Sequence, residues 1–258
     1  MTDSPWLARF AARPNARLRL LCFPPAGGSA AAFGQWPDLV GADIEIVGIE
    51  YPGRGSRRAE SLFVRIQALV SAMVMRVQPE LGDMPFAILG HSLGALLGFE
   101  LARHLRLLKG PLPVALCVCG CRAPSLPARK PPSFGLGEAE FLGEVRSLNG
   151  TAPEVLADPN VFRLFEPALR ADFEMAETYV CRTRPPLDLP ILAYGGADDR
   201  ETLPDELHPW SRETTSPLTL RFYSGDHFFL REAASAVARD VSRDLLCLLD
   251  GQRPAGMA

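Results

Sequence analysis

Gly90-His91-Ser92-Leu93-Gly94 is the segment of this chain best placed to do chemistry. An apolar run, Phe86-Ala87-Ile88-Leu89, precedes it, and an apolar-faced helical stretch, Ala95 to Leu107, follows it. Gly-x-Ser-x-Gly between a strand and a helix makes a sharp turn that strains the serine and pushes its hydroxyl out of the sheet. The flanking glycines let strand and helix pass closely without a Cβ clash. The helix N-terminus behind Ser92 favours negative charge. A hydroxyl presented in this way is a candidate nucleophile, and it needs a base to take its proton.

The chain holds four histidines. His91 lies in the turn itself, with its side chain expected to point away from Ser92. His104 is twelve residues along the following helix, too far to reach back. His208 stands in a polar segment, Asp205 to Trp210, and reads as a surface residue. His227 follows a strand and a Ser224-Gly225-Asp226 turn, which puts it at a strand's carboxyl end, as Ser92 is; it is the candidate base. Such a base needs a carboxylate to hold its tautomer. The strand at Ile191 to Tyr194 runs into Gly195-Gly196-Ala197-Asp198-Asp199, and either aspartate could serve. Asp226 is a weaker third candidate, because neighbouring side chains diverge. A tetrahedral oxyanion would need two backbone donors. One is the N–H after the nucleophile, at Leu93. The second is expected from the loop Phe23-Pro24-Pro25-Ala26-Gly27-Gly28-Ser29, where the prolines carry no N–H and Ala26 is the first residue able to donate. The rival reading of this loop as a phosphate cradle lacks both Gly-x-x-x-x-Gly-Lys-Ser/Thr and Gly-x-Gly-x-x-Gly.

Six strands and the helices between them must position these groups. Strands are predicted at Leu18–Phe23, Ile44–Ile49, Phe86–Leu89, Val114–Cys119, Leu189–Tyr194 and Leu218–Tyr223. Leu62, Ile66, Leu69, Val70, Met73, Val74 and Val77 share one helical face, and Pro79 and Gly82 are expected to stop that helix. A last helix carries Val237, Val241, Leu245 and Leu248. Alternating strands and helices predict an α/β fold, with a mostly parallel sheet, helices on both faces and the site at the strands' carboxyl ends. The stretch 124–186 breaks the rhythm. It opens with a Pro-rich linker, Pro124 to Pro132, and then shows helical patterns rich in aromatics: Phe134, Phe141, Phe162, Phe165, Phe173 and Tyr179. It is too long for an ordinary connection. It reads as a helical lid inserted in a single domain spanning 1–258, with most of its aromatics packing the inserted helices together.

Bulk properties narrow the function classes. The chain has 258 residues, 47% hydrophobic and 22% charged, as in ordinary globular proteins. A net charge of −3 gives no sign of nucleic-acid binding. Met1 to Asn15 lacks an apolar core and a small-residue cleavage site, so no signal peptide is expected. No apolar run reaches the roughly 18 residues of a membrane span. Cys117, Cys119 and Cys121 alternate and are expected on one face of a strand. The six cysteines read as small buried hydrophobes in a reducing cytosol, and no metal-ligand spacing is present.

Taken together, these motifs resemble the type II thioesterases of the α/β-hydrolase fold, free-standing editing enzymes of polyketide and nonribosomal peptide synthesis. The resemblance covers nearly the whole chain. It rests on Phe23-Pro24-Pro25-Ala26-Gly27-Gly28, Tyr51-Pro52-Gly53-Arg54-Gly55, the serine pentapeptide, Gly196-Ala197-Asp198-Asp199 and Gly225-Asp226-His227-Phe228-Phe229. Pro167-Ala168-Leu169-Arg170-Ala171-Asp172-Phe173 in the lid also looks like the family's pattern. The resemblance implies hydrolysis of acyl groups from the phosphopantetheine thiol of an acyl or peptidyl carrier protein, through an acyl-Ser92 intermediate and with no cofactor or metal. It implies Ser92, Asp199 and His227 as nucleophile, acid and base. The acid usually stands three residues after a strand-end glycine, which favours Asp199 over Asp198. Arg200 replaces a common proline, and Gly55 a common acidic residue; both departures lie in loops. A monomeric cytoplasmic enzyme is expected. Arg54, Arg57, Arg58, Arg122, Arg129 and Lys130 are candidates for a basic patch toward an acidic carrier, with solvated loop charges as the plainer reading of each. A carboxylesterase or acyl-CoA thioesterase on the same fold, a silent acyl- or synthase-binding relative, and an acyltransferase are the alternatives.

Overall fold

The computed structural model describes residues 4–251, so Met1 to Asp3 of the N-terminal stretch lie outside the described residues. Strands β1 (Leu7–Arg9), β2 (Leu18–Phe23), β3 (Ile44–Ile49), β4 (Phe86–His91), β5 (Leu116–Cys119), β6 (Ile191–Gly196) and β7 (Leu218–Tyr223) form one sheet in the order β1-β3-β2-β4-β5-β6-β7. Every pair except the β1–β3 edge is parallel. The helices are α1 (Trp36–Leu39), α2 (Ile66–Leu81), α3 (Leu93–Leu107), α4 (Glu138–Ser147), α5 (Pro153–Ala157), α6 (Pro159–Glu177), α7 (Phe229–Glu232) and α8 (Ala234–Leu249). None among the described residues is long and apolar enough to cross a membrane.

The strands are apolar on both faces, as a parallel sheet covered on both sides requires. Leu21, Phe23, Ile88, Leu116, Val118 and Ile191 point to the side of α2 and α3. Leu20, Cys22, Leu89, Cys117, Cys119 and Leu192 point to the side of α1 and α8. Residues one apart thus belong to opposite cores, which the period of two dictates. Between β5 and β6 lie α4, α5 and α6, whose apolar residues Phe141, Val145, Phe162 and Leu169 make a small core of their own.

Three expectations need correction, and one strand is missing from the sequence analysis. The edge strand β1 was not foreseen: three residues are too few to display a period. Pro79 lies inside α2 and does not stop it. The nearly inaccessible Leu81 anchors the final turn in the core, and Gly82 ends the helix. Leu62, assigned to the same helical face, precedes the helix, which begins at Ile66. Cys121 does not share a face with Cys117 and Cys119. The strand ends at Cys119, the chain turns at Gly120, and Cys121 enters the opposite core.

Two parallel strands bring the nucleophile's turn beside the loop after β2. β2 and β4 pair side by side, with Phe23 opposite Gly90. α3 then starts so close to β2 that a Cβ on Gly94 would stand 2.2 Å from the Phe23 carbonyl oxygen, a backbone atom that cannot move aside. Gly94→Ala is therefore expected to destabilise the protein by about 2–4 kcal/mol. Gly143, on the exposed face of α4 with nothing near its Cβ position, is the contrast. Gly143→Ala should stabilise by about 0.5–1 kcal/mol. Urea unfolding midpoints of the two variants check both signs.

Candidate active site

Ser92 stands between the end of β4 and the first turn of α3, with φ 53° and ψ −118°. A non-glycine residue at positive φ is strained by about 1–3 kcal/mol. The surroundings hold it there. Its N–H donates to the Cys119 carbonyl at 2.8 Å, and its own carbonyl accepts from Ala95 N–H at 2.9 Å. The hydroxyl is thereby turned out of the sheet, as the pentapeptide predicted.

His227 follows β7 and reaches across two strands. Its Nε2 lies 3.0 Å from Ser92 Oγ, and its Nδ1 lies 2.9 Å from Asp199 Oδ2. Asp199 is almost wholly buried at the end of β6. Burial alone would raise its pKa. The hydrogen bond and charge of His227 and the backbone donors of Thr202 and Glu201 outweigh that, and the carboxyl ends below its ordinary value. The two backbone donors reach Oδ1 at 2.9 and 2.8 Å. Asp199 is therefore ionised at neutral pH and can only accept. That sets the proton of His227 on Nδ1 and leaves the Nε2 lone pair facing the serine hydroxyl. The structure thus brings Ser92, His227 and Asp199 into one line. Asp198, one residue away, is exposed. Asp226 turns to its own loop, accepting from Phe228 N–H at 2.7 Å and from Asn149 Nδ2 at 3.0 Å. His208 is exposed, and His104 bonds to its own helix through the Glu100 carbonyl.

Ala26 and Leu93 border the same cavity as Ser92 and His227. The cavity measures about 550 Å³ and its inner wall includes Leu96, Leu126, Leu169 and Phe173. No acceptor among the described residues takes the N–H of Ala26 or of Leu93. Leu93 is the first residue of α3, where the N–H has no helical partner. Both donors are thus free to meet an anion beside Ser92.

Three residues take roles that sequence reasoning does not assign. His91 points away from Ser92 as expected, but it is not idle. Its Nε2 lies 2.7 Å from the His227 carbonyl oxygen and donates to it. Its ring sits 5.3 Å from that of His227, and Phe228 packs edge-on to both. Arg54 and Asp172 form a buried pair, with the Asp172 Oδ2 also accepting from Gly27 N–H at 2.8 Å. The available signal was a carboxylate on the inward face of α6, in line with Phe162, Leu169 and Met175. The expected basic patch is largely occupied otherwise. Arg54 and Arg57 are buried, the latter over the Trp6 ring, while Arg122 and Arg129 pair with Glu206 and Lys130 with Glu201. Arg58 is exposed.

Burial, with a smaller part from the nearby His227, lowers the His91 pKa from 6.5 to about 3, against a partial rise from its bond to the His227 carbonyl. The unfolded chain consequently binds a proton that the folded one refuses. Stability contributed by neutral His91 is whole above pH 6.5 and falls as pH drops toward 3. His91→Gln, which keeps a donor and does not titrate, should flatten that fall by up to about 1.4 kcal/mol per pH unit between pH 4 and 6. Urea titrations at stepped pH measure it; equal slopes for both proteins would contradict a neutral buried imidazole.

The thioesterase-domain family profile matches residues 18–245. The gramicidin S biosynthesis protein GrsT of Aneurinibacillus migulanus is 38% identical over 244 residues, covering 95% of each chain. Thioesterase PikA5 of Streptomyces venezuelae is 39% identical over 254 residues, covering 95% of this chain and 90% of its own. The solved type II thioesterase BorB, from the borrelidin biosynthetic cluster, superposes with a TM-score of 0.84 at 35% identity, over 93% of this chain and 97% of BorB. The sheet order and flanking helices are those of the α/β-hydrolase fold that such thioesterases share. This chain belongs to the thioesterase family and is a hydrolase acting on thioesters.

Proposed function

We propose that the protein is a type II thioesterase that removes acyl groups from the phosphopantetheine thiol of acyl or peptidyl carrier proteins in polyketide or nonribosomal peptide synthesis. The observation that carries this reading is the hydrogen-bonded line from Asp199 through His227 to Ser92, opening on a cavity walled by apolar side chains such as Leu96, Leu169 and Phe173 together with charged ones such as Arg122 and Lys130. The names of GrsT and BorB support the biosynthetic setting. Six free cysteines suit a reducing cytoplasm. We take the acting species to be a monomer.

In this reading Ser92 Oγ attacks the thioester carbonyl carbon while its proton passes to His227 Nε2. Asp199 steadies the imidazolium that results. The carbonyl oxygen becomes an oxyanion between the N–H groups of Ala26 and Leu93, at the positive end of α3. The carbon–sulfur bond breaks, and the pantetheine thiolate takes the proton from His227. Water then attacks the acyl-Ser92 ester, giving its proton to the same nitrogen, and Ser92 leaves with it. Helices α4 to α6, within the 124–186 insertion, act as the lid that walls the acyl chain from solvent. A cavity of about 550 Å³ is of the size that takes a small ligand or a flexible acyl arm.

Ser92→Ala and His227→Ala should each lower kcat by at least about a thousandfold, and the double variant should be scarcely worse than either, because the groups act as a unit. Retention of most hydrolysis by Ser92→Ala would end this reading. Rates compared on an acylated carrier protein, the matching acyl-CoA and a simple ester give the partner. The carrier-bound substrate should lead in kcat/KM; equal rates on all three would point to a general acyl hydrolase.

A further inference from the structure

Asp199 owes its aim to a loop that is itself held from outside. Its Oδ2 meets His227, while its Oδ1 accepts from Glu201 N–H at 2.8 Å and from Thr202 N–H at 2.9 Å. Glu201 N–H shares a peptide plane with the Arg200 carbonyl, and Thr202 N–H shares one with the Glu201 carbonyl. A trans peptide points its N–H and its carbonyl in opposite directions. The carbonyl ends of both planes meet one atom. Arg129 Nη2 donates to the Arg200 carbonyl at 2.7 Å and to the Glu201 carbonyl at 3.2 Å. Each plane is therefore held at both ends, by a guanidinium on one side and by the Asp199 carboxylate on the other.

Arg129 belongs to neither β6 nor this loop. It stands 71 positions before Arg200, in the Pro-rich linker between β5 and α4. Its other terminal nitrogen, Nη1, donates to Glu206 Oε2 at 3.2 Å. Glu206 closes the same loop, for its Oε2 also accepts from Leu203 N–H at 3.0 Å, and its Oε1 accepts from Arg122 Nε at 2.7 Å. The carboxylate of Glu206 thus keeps the guanidinium within reach of both carbonyls. An ion pair as exposed as this one adds little stability. What it fixes is direction. Cation, peptide dipoles and the Asp199 carboxylate stand in series, and each bond polarises the next.

We propose that Arg129 is a positioning residue for the aspartate of the triad: its guanidinium holds the two peptide planes whose N–H groups keep the Asp199 carboxylate turned toward His227. This rests on the reading of Ser92, His227 and Asp199 under Proposed function. Without the guanidinium the two carbonyls turn to water, and the peptides tilt with them. Oδ1 then loses its donors. The last torsion of an aspartate is broad, so the freed carboxylate rotates and its bond to His227 Nδ1 weakens. Asp199 acts by steadying the imidazolium, which forms only as Ser92 attacks. The loss therefore falls on kcat and leaves KM alone. Arg129 also borders the cavity, so direct contact with substrate is the competing role. That role would raise KM and keep kcat.

The experiment is a double-variant cycle on one acyl-pantetheine thioester: wild type, Arg129→Met, Asp199→Ala and the two combined, with Ser92→Ala as control. Arg129→Met should lower kcat about tenfold to a hundredfold, the scale on which a partner that orients a metal ligand acts, with KM within about threefold. In the Asp199→Ala background the same change should cost less than about twofold, since no carboxylate remains to be aimed. Arg129→Gln, too short to span the loop, should lose as much as the Met variant and guards against misfolding of the latter. Proton NMR of the folded proteins gives a readout apart from turnover. The low-field resonance of the His227 Nδ1 proton should move upfield or broaden away in Arg129→Met. Wild-type kcat in both Arg129 variants, an equal loss in the two backgrounds, a raised KM with kcat kept, or an unmoved resonance would each overturn the positioning role. Full activity in Asp199→Ala or Ser92→Ala would instead sink the reading of the site, so the two failures are distinct.

Discussion

Everything at the site depends on how tightly the chain passes itself at Ser92. Strand β4 must end, reverse its course and become α3 while β2 runs directly alongside. The space left is less than a methyl group: a Cβ at Gly90 would stand 2.3 Å from the Gly94 carbonyl oxygen, and one at Gly94 would strike the carbonyls of Phe23 and Pro24. Glycine at both positions is therefore a steric necessity. This close passage forces Ser92 to positive φ. It also sets the free N–H of Leu93 and the loop after β2 on the same side of the hydroxyl. The proposed nucleophile and the proposed oxyanion donors share one cause.

The parallel sheet does the remaining positioning. Ser92, Asp199 and His227 are separated by more than a hundred residues of chain at the extremes, yet each follows a strand whose carboxyl end opens on one edge. β4 and β6 flank β5, and β7 lies beyond β6, so the aspartate stands between serine and histidine in strand order, on the far side from β2. The histidine must reach back over β6. His91 makes that reach stable, for it holds the backbone of His227 through the carbonyl and packs tilted against its ring. A neutral imidazole suits this task, since a charged neighbour would compete with the imidazolium that catalysis requires.

Legibility in the sequence followed the range of the interaction. The serine turn is local, and its glycines, apolar strand and apolar helix stand within about twenty residues, so it could be read outright. His227 and the acid pair were readable because strand ends are marked by glycine and turn residues. The choice between Asp198 and Asp199 was not local. It depends on which side chain the strand end turns inward, where Thr202 and Glu201 N–H groups wait. Arg54 and Arg57 looked like surface charges because a linear sequence does not display partners such as Asp172 or Trp6. Strand β1 was invisible for a different reason: an edge strand of three residues takes its form from its partner β3 and has no pattern of its own.

Several features that cost stability gather around the serine. Ser92 holds a disfavoured backbone conformation. His91 and Asp199 are buried polar groups, and the Arg54–Asp172 pair leaves Asp172 Oδ1 and Arg54 Nε without partners. The opposite face of the sheet, around α1 and α8, is filled mainly by apolar residues such as Leu20, Ile46, Leu89, Val237 and Val241, with Asp244 buried among them and paired with Arg221. A chain selected for stability alone would replace the Arg54–Asp172 pair by packed hydrocarbon, which is often neutral or favourable. It would also place glycine at position 92. Backbone strain and a buried charge pair beside the hydroxyl are what a preorganised site requires. The dipoles that meet a developing negative charge must already be fixed, and the surrounding core must be stable enough to hold them against their own preference.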